Sequence, residues 1–117
     1  MRHRKRKVTL DRTAAGRRSL LRNLAVSVIL YEKVRTTDAR ARAIRPIVER
    51  LVTLGRSNDL ATRRRLLAYL PVKNATKKVI EVLGPRYRDR KGGYLRITKL
   101  GQRPGDGGSV VQIEFVV

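Results

Sequence analysis

Glu32-Lys33-Val34-Arg35-Thr36-Thr37-Asp38 is the stretch on which the fold of this 117-residue chain turns. β-Branched residues alternate there with polar ones, which suits a short strand with one covered face. The same stretch starts a helix, because Thr37 offers a side-chain oxygen to cap it and Asp38 in the first turn complements the positive end of the helix dipole. A strand therefore stands between two helical patterns.

Upstream, Thr13 is positioned to cap a helix running to about Tyr31. Its first half carries Arg17, Arg18 and Arg22, whereas residues 24–30, Leu-Ala-Val-Ser-Val-Ile-Leu, are apolar nearly all round. A turn that is apolar on every side must be buried on several. The helix is expected to enter the core at its C-terminal end and display cations at its N-terminal end.

Downstream, Ile44, Ile47, Val48, Leu51 and Leu54 recur at intervals of three and four, with Arg40, Arg42, Arg45 and Arg50 mostly off that stripe. Pro46 inside this second helix lacks an amide hydrogen and is expected to bend it or to mark a shortened start. Residues 55–58 read as a turn. Asp59 caps a third helix, with Leu60, Leu66, Leu67 and Leu70 as its apolar members and Pro71 as its stop. A fourth helix over about 73–83 buries Val79, Ile80 and Leu83 and is predicted to end at Gly84-Pro85.

Residues 86–93 read as a loop in which Arg86, Arg88, Arg90 and Lys91 outweigh Asp89. Residues 94–100 and 109–117 alternate as strands, with Val111, Ile113 and Phe115 on one face, and the turn formers of 101–108 join them as a hairpin. The expected fold class is α+β: about four helices packed with a small three-stranded mixed sheet. A basic N-terminal arm, residues 1–12, precedes a single compact domain, residues 13–117.

Charge narrows the partner. Lys and Arg number 29 against nine acids, a formal charge of +20, and such an excess points to nucleic acid. The arm concentrates it, since Arg2, Arg4, Lys5, Arg6 and Lys7 are interrupted only by His3. With few apolar side chains to offset the entropy of ordering, the arm is expected to lack a fold until a polyanion neutralises it, and counterion release then drives association. Only four Tyr, one Phe and no Trp are present, which argues against a single-strand binder built on stacking platforms. Phosphate and shape recognition fit better.

Other function classes lack raw material. With no cysteine, disulfides, thiolate metal sites and cysteine catalysis are excluded. The longest apolar run, 24–31, is too short to span a bilayer and is broken by Ser27, so no membrane association is expected and the protein reads as soluble. That run also comes too late, behind Arg17, Arg18 and Arg22, for an export signal. His3, the single histidine, sits in the arm without a fixed partner to set its tautomer. The nine acids are scattered with no close pair for acid–base work or magnesium. The chain is therefore read as no enzyme, with no cofactor, no metal and no small-molecule substrate.

Two further tracts bear on binding. Gly105-Asp106-Gly107-Gly108 reads as a hairpin turn, because no Lys-Ser, Lys-Thr or helix follows as a nucleotide loop requires. Arg90-Lys91-Gly92-Gly93-Tyr94 joins two cations, two residues without side-chain bulk and a ring; Tyr94 can stack on a base beside a closely approaching backbone, or pack on the sheet in a loop that leads into a strand, and the two readings are compatible. Arg63-Arg64-Arg65 cannot face one ligand, since consecutive helical positions point about 100° apart, and it reads as a solvated face.

In this order and at this spacing, several tracts carry a likeness over nearly the whole length: Met1-Arg2-His3-Arg4-Lys5, Leu10-Asp11-Arg12, Leu21-Arg22-Asn23-Leu24-Ala25, Thr36-Thr37, Leu51-Val52-Thr53-Leu54, Gly84-Pro85-Arg86-Tyr87, Gly92-Gly93-Tyr94-Leu95-Arg96-Ile97 and Gly105-Asp106-Gly107. The chain resembles the family of protein seventeen of the bacterial large ribosomal subunit. It departs at Asp11, where the family usually has Asn, at Gly16, commonly His, and at Arg6-Lys7-Val8. The resemblance implies a structural ribosomal component in the cytoplasm that binds large-subunit ribosomal RNA near the outlet of the peptide tunnel, beside other large-subunit ribosomal proteins.

Candidate RNA-binding residues form two groups. Arg2, His3, Arg4, Lys5, Arg6, Lys7, Arg12, Arg17, Arg18 and Arg22 make the first; Arg86, Arg88, Arg90, Lys91, Gly92, Gly93, Tyr94, Arg96 and Lys99 make the second, with Lys33, Arg35, Thr36 and Thr37 between them. An independent DNA-binding or architectural protein is the alternative that composition alone accepts, and an enzyme acting on nucleic acid would need a metal or paired carboxylates.

Overall fold

The computed structural model describes residues 13–105 and 107–117. The expected basic arm, 1–12, lies outside the described residues, and with it the candidate contacts from Arg2 to Arg12. Helix α1 (Ala14–Tyr31) starts as predicted, with Thr13 Oγ1 accepting the Gly16 amide at 3.2 Å. Its C-terminal half is the buried half, through Ala25, Val28 and Ile29. Glu32 closes it in the left-handed region, φ 62°, with its amide donating to the Val28 carbonyl at 2.8 Å.

Strand β1 (Lys33–Thr37) follows at once and runs directly into helix α2 (Asp38–Gly55). Thr37 Oγ1 caps α2 by accepting the Arg40 amide at 3.4 Å, and Asp38 pairs with Arg42 one turn on at 3.1 Å. Pro46 lies inside α2, which neither stops nor starts there; the Arg42 carbonyl forgoes its helical donor instead. Ile44, Val48, Leu51 and Val52 bury the inner stripe, each worth about 1.5–3 kcal/mol of transfer from water.

Helix α3 (Leu60–Tyr69) is capped by Asp59, whose Oδ1 accepts the Thr62 amide at 2.7 Å. That amide holds the Asp59 carboxyl below its usual range. Only part of the predicted apolar set is covered. Leu66 and Leu70 are buried, but Leu60 and Leu67 are 62% and 42% exposed, because one side of a peripheral helix meets the core and these two fall on the other.

The fourth helix departs from expectation at its end. Helix α4 (Lys73–Lys78) widens into a π-helical turn (Val79–Leu83), and helix α5 (Gly84–Arg86) carries the helical backbone through Gly84-Pro85 to Arg86. Pro85 lies in the first turn of α5, its fixed φ compatible with the helix it continues. Gly84 is there for another reason. A Cβ on it would stand 2.5 Å from the Gly55 carbonyl oxygen, and a Cβ on Gly55 would overlap the Val79 side chain. The two glycines let the end of α2 cross the π turn at backbone contact.

Strands β2 (Leu95–Gln102) and β3 (Ser109–Phe115) form the predicted hairpin, with β-bulge geometry between Lys99 and Gly101. The sheet order is β1-β3-β2. An α+β fold with three strands is as expected, but the sheet is antiparallel throughout rather than mixed. β1 and β2 run the same way and would make the parallel pair, yet β3 lies between them. Val111, Ile113 and Phe115 face inward and are buried together with the apolar faces of α1, α2 and the fourth helix in one core.

Candidate nucleic-acid interface

The antiparallel order brings the start of β1, the end of β3 and the start of β2 to one end of the sheet. The junction there is Glu32. Its main-chain oxygen accepts the Phe115 amide at 3.0 Å. Its carboxylate takes both terminal nitrogens of Arg86, Nη2 at 3.2 Å, and Lys78 Nζ at 2.9 Å. Lys78 also donates to the Leu30 carbonyl at 3.0 Å, one of the acceptors that a helix end leaves open. The Arg86 hydrogen bond, more than Lys78, pulls the Glu32 carboxyl down to about 2, and the same bond raises Arg86. Arg86 thus departs from its expected role: its guanidinium is spent on an internal carboxylate, because Glu32, distant in sequence, lies across the junction.

The loop that follows is clamped from behind by Arg56. Its Nη2 donates to the Arg88 carbonyl at 2.9 Å, and its Nη1 to the Arg90 carbonyl at 3.1 Å and the Tyr94 hydroxyl at 3.4 Å. A planar guanidinium can hold several acceptors in this way where an ammonium cannot. Arg56 stands in a stretch that reads as a turn from sequence, and no local signal separates it from any other arginine. Arg88, Arg90 and Lys91 remain exposed on the loop. Gly92 and Gly93 have φ of 157° and 64°, and a Cβ on either would meet nothing within 4 Å, so the backbone there is open to an approaching ligand.

Tyr94 is corrected from base-stacking candidate to core residue. It is fully buried, with its ring centroid 4.9 Å from that of Tyr87. Its hydroxyl bonds with Thr53 Oγ1 at 2.9 Å and donates to the Arg90 carbonyl at 3.1 Å. Tyr87 anchors the other side, its hydroxyl donating to the Val116 carbonyl. A ring enclosed in this way has no face to offer a base, and the alternative of packing on the sheet is the one realised.

On the outer face of the sheet, the register aligns Lys33, Glu114 and Arg96 in one row and Arg35, Gln112 and Thr98 in the next. Glu114 lies 3.9 Å from Lys33 and 3.7 Å from Arg96, so one carboxylate is shared by two cations. Arg35 faces amide and hydroxyl in its own row. Lys33, Arg35 and Arg96 lie on this face, and Arg88, Arg90 and Lys91 lie on the loop that leads into β2 at the same end of the sheet. Thr36 and Lys99 do not join them: they align with Val111 on the other face, toward the far end. Thr37 spends its hydroxyl on the α2 cap.

The first group stands apart. Helix α1 reaches the junction with its C-terminus, and its 18 residues span about 27 Å, so Arg17 and Arg18 lie near the opposite end. Arg22 lies over the Tyr69 ring, 5.3 Å from its centroid, which ties α1 to α3. Tyr69 is raised in pKa by burial, against the opposing charges of Arg22 and Arg50. Among the described residues no group of three or more His, Cys, Asp or Glu is arranged to hold a metal ion, and no helix is long and apolar enough to cross a membrane.

Known proteins align with this chain over most or nearly all of its length. Large ribosomal subunit protein bL17 of Hydrogenobaculum sp. (strain Y04AAS1) is 50% identical over 117 residues, covering 99% of each chain. Proteins of the same name from Koribacter versatilis and Caldanaerobacter subterraneus subsp. tengcongensis are 47% and 46% identical, covering 99% and 92% of this chain and 72% and 96% of their own. The family described as ribosomal protein L17 matches residues 20–116. With its length, its order of elements and its sequence accounted for together, the chain belongs to the ribosomal protein L17 family.

Proposed function

We propose that this protein is a non-catalytic structural constituent of the large ribosomal subunit, working in the cytoplasm as part of the ribosome. It binds and clamps ribosomal RNA through its N-terminal residues and its basic surface, beside neighbouring ribosomal proteins near the outlet of the peptide tunnel. The observation that carries this reading is the gathering of Arg88, Arg90, Lys91, Lys33, Arg35 and Arg96 at one sheet end, where Asp89 and Glu114 are too few to neutralise them. Phosphate oxygens complete such a surface, and the rigid backing by Arg56 and Tyr94 keeps the loop's cations spaced before the RNA arrives. A-form RNA presents its phosphates and 2′-hydroxyls across a shallow groove that a flat sheet end and a glycine lip can follow. Arg17 and Arg18 near the other end of α1, with Arg22 at its middle, would grip a second segment of RNA and so join two parts of its fold.

Competition at physiological salt tests this directly. Large-subunit ribosomal RNA should displace duplex DNA from the protein in large preference; indifference between the two would favour an architectural DNA-binding protein instead.

A further inference from the structure

Between the middle of α2 and the glycine lip lies an open groove of about 580 Å³, bounded by Pro46, Glu49, Arg50 and Thr53 on the helix and by Lys91 and Gly92 on the loop. That volume is in the range that takes a small molecule or a single nucleotide. Its chemistry is uneven. Most of the lining is apolar, and two cations stand at the edge, yet one carboxylate is set among them. Glu49 Oε1 forms an ion pair with Arg45 Nε at 3.8 Å, and Oε2, withdrawn from solvent, has no hydrogen-bond partner among the described residues. An acceptor left in that state costs free energy that an arriving donor recovers. The Thr53 hydroxyl at one end is already bonded to Tyr94, so the open acceptor of the lining is Glu49 Oε2, which a donor in the groove reaches once the carboxylate turns outward, next to a place for negative charge.

We infer that this groove receives one unstacked guanine of the bound RNA, its Watson–Crick edge donating to Glu49 and its phosphate lying on Lys91 and Arg50. The inference rests on the RNA-binding reading above and adds a base preference to it. Guanine fits because its N1–H and 2-amino group stand side by side as two donors, matching the two oxygens of a carboxylate that turns out to meet them. Adenine and cytosine offer one donor beside an acceptor nitrogen. Uracil offers one donor between two carbonyls, which a carboxylate repels. Pro46 supplies apolar surface for the face of the base, and Gly92 leaves the mouth of the groove without a side chain. Recognition of a base outside the helix stack is the usual route by which RNA sequence is read.

Anisotropy titration of the full chain with an RNA hairpin carrying one bulged nucleotide tests the inference. The bulged-guanine hairpin should bind about tenfold more tightly than the bulged-uracil hairpin, with inosine, which lacks the 2-amino group, between them. Glu49→Gln should bring the guanine and uracil hairpins to within about twofold while leaving the salt dependence unchanged. Lys91→Ala, on the exposed loop where the fold is not at stake, should weaken all three hairpins and keep their ratio. Equal binding of guanine and uracil hairpins, with steep salt dependence retained, would overturn the groove assignment and leave RNA binding standing; absence of salt-dependent binding to any hairpin would overturn both. Free GMP should displace the guanine hairpin only at millimolar concentration. Displacement at concentrations comparable to the hairpin would assign the groove to a free nucleotide and overturn its assignment to RNA.

Discussion

Gly84 sits directly against the backbone carbonyl of Gly55, so that a methyl group added to it would lie 2.5 Å from that oxygen. Because the obstacle is main chain, no side-chain rotation relieves it. The π turn that delivers Gly84 to this position also carries Val79 against Gly55, and the end of α2 is thereby locked to the fourth helix just before the chain enters the basic loop.

Gly84→Ala is accordingly expected to destabilise the protein by about 2 kcal/mol, a fall of about 10 °C in Tm, since overpacking outweighs the better helix propensity of alanine. Gly93→Ala, where φ is 64° but the space is open, should cost nearer 1 kcal/mol from backbone strain alone. Thermal denaturation followed by circular dichroism compares the two, and a Gly84→Ala protein as stable as the parent would show that the helices separate without penalty.

Glu32 sets a pH dependence. Its carboxyl is lowered from 4.5 to about 2 in the folded protein, mainly by Arg86. The stability it contributes is therefore fully present above pH 4.5 and lost as the pH falls through 2. With a third of the side chain exposed, solvent screening reduces the contribution to about 1–2 kcal/mol. Glu32→Gln should lower the urea midpoint at pH 7 and progressively less so on acidification, the two proteins converging near pH 2. A difference independent of pH would mean that the charge of Glu32 is not what the junction uses.

Arg56 and Tyr94 hold the loop, and their loss should be read there. Arg56→Ala, and equally Arg56→Lys because an ammonium cannot span the same acceptors, should speed amide hydrogen exchange over residues 88–93. Tyr94→Phe should cost about 1 kcal/mol of stability and weaken RNA binding only modestly, through the loosened loop. A large affinity loss in Tyr94→Phe without loss of stability would return the ring's hydroxyl to the RNA surface.

The sheet end should show itself in salt. Replacing Arg88, Arg90 and Lys91 by Ala should flatten the slope of log affinity against log salt by about one unit for each phosphate contact removed. Arg86→Ala should instead weaken stability more than the slope, since its guanidinium faces Glu32. The opposite ranking of the two variants in a salt titration would contradict the division drawn between internal and outward cations.

Much of the fold could be read from sequence because its signals are local. Thr13, Thr37 and Asp59 each announce a helix through one side-chain oxygen that accepts the amide three residues ahead, and all three caps are present. The alternation of residues 109–115 fixes which side of β3 is buried. What escaped were relationships between distant residues. Gly84 reads as a helix terminator unless Gly55 is known to lie against it. Arg86 reads as an outward cation unless Glu32 is known to face it. A tyrosine after two glycines reads the same whether its ring is in the core or on a ligand, and Arg56 carries no mark of the carbonyls it holds. The order β1-β3-β2, which excludes a parallel pair, likewise depends on a pairing some eighty residues apart.

Because β3 lies between the other two strands, neither β1 nor β2 has a neighbour of its own until residues 109–115 arrive. During synthesis the helices can form as they appear, but the cationic platform at the sheet end is assembled last and all at once. A nascent chain would thus have its scattered arginines long before it had them in register, and RNA capture by that platform would follow translation of the final strand instead of accompanying it.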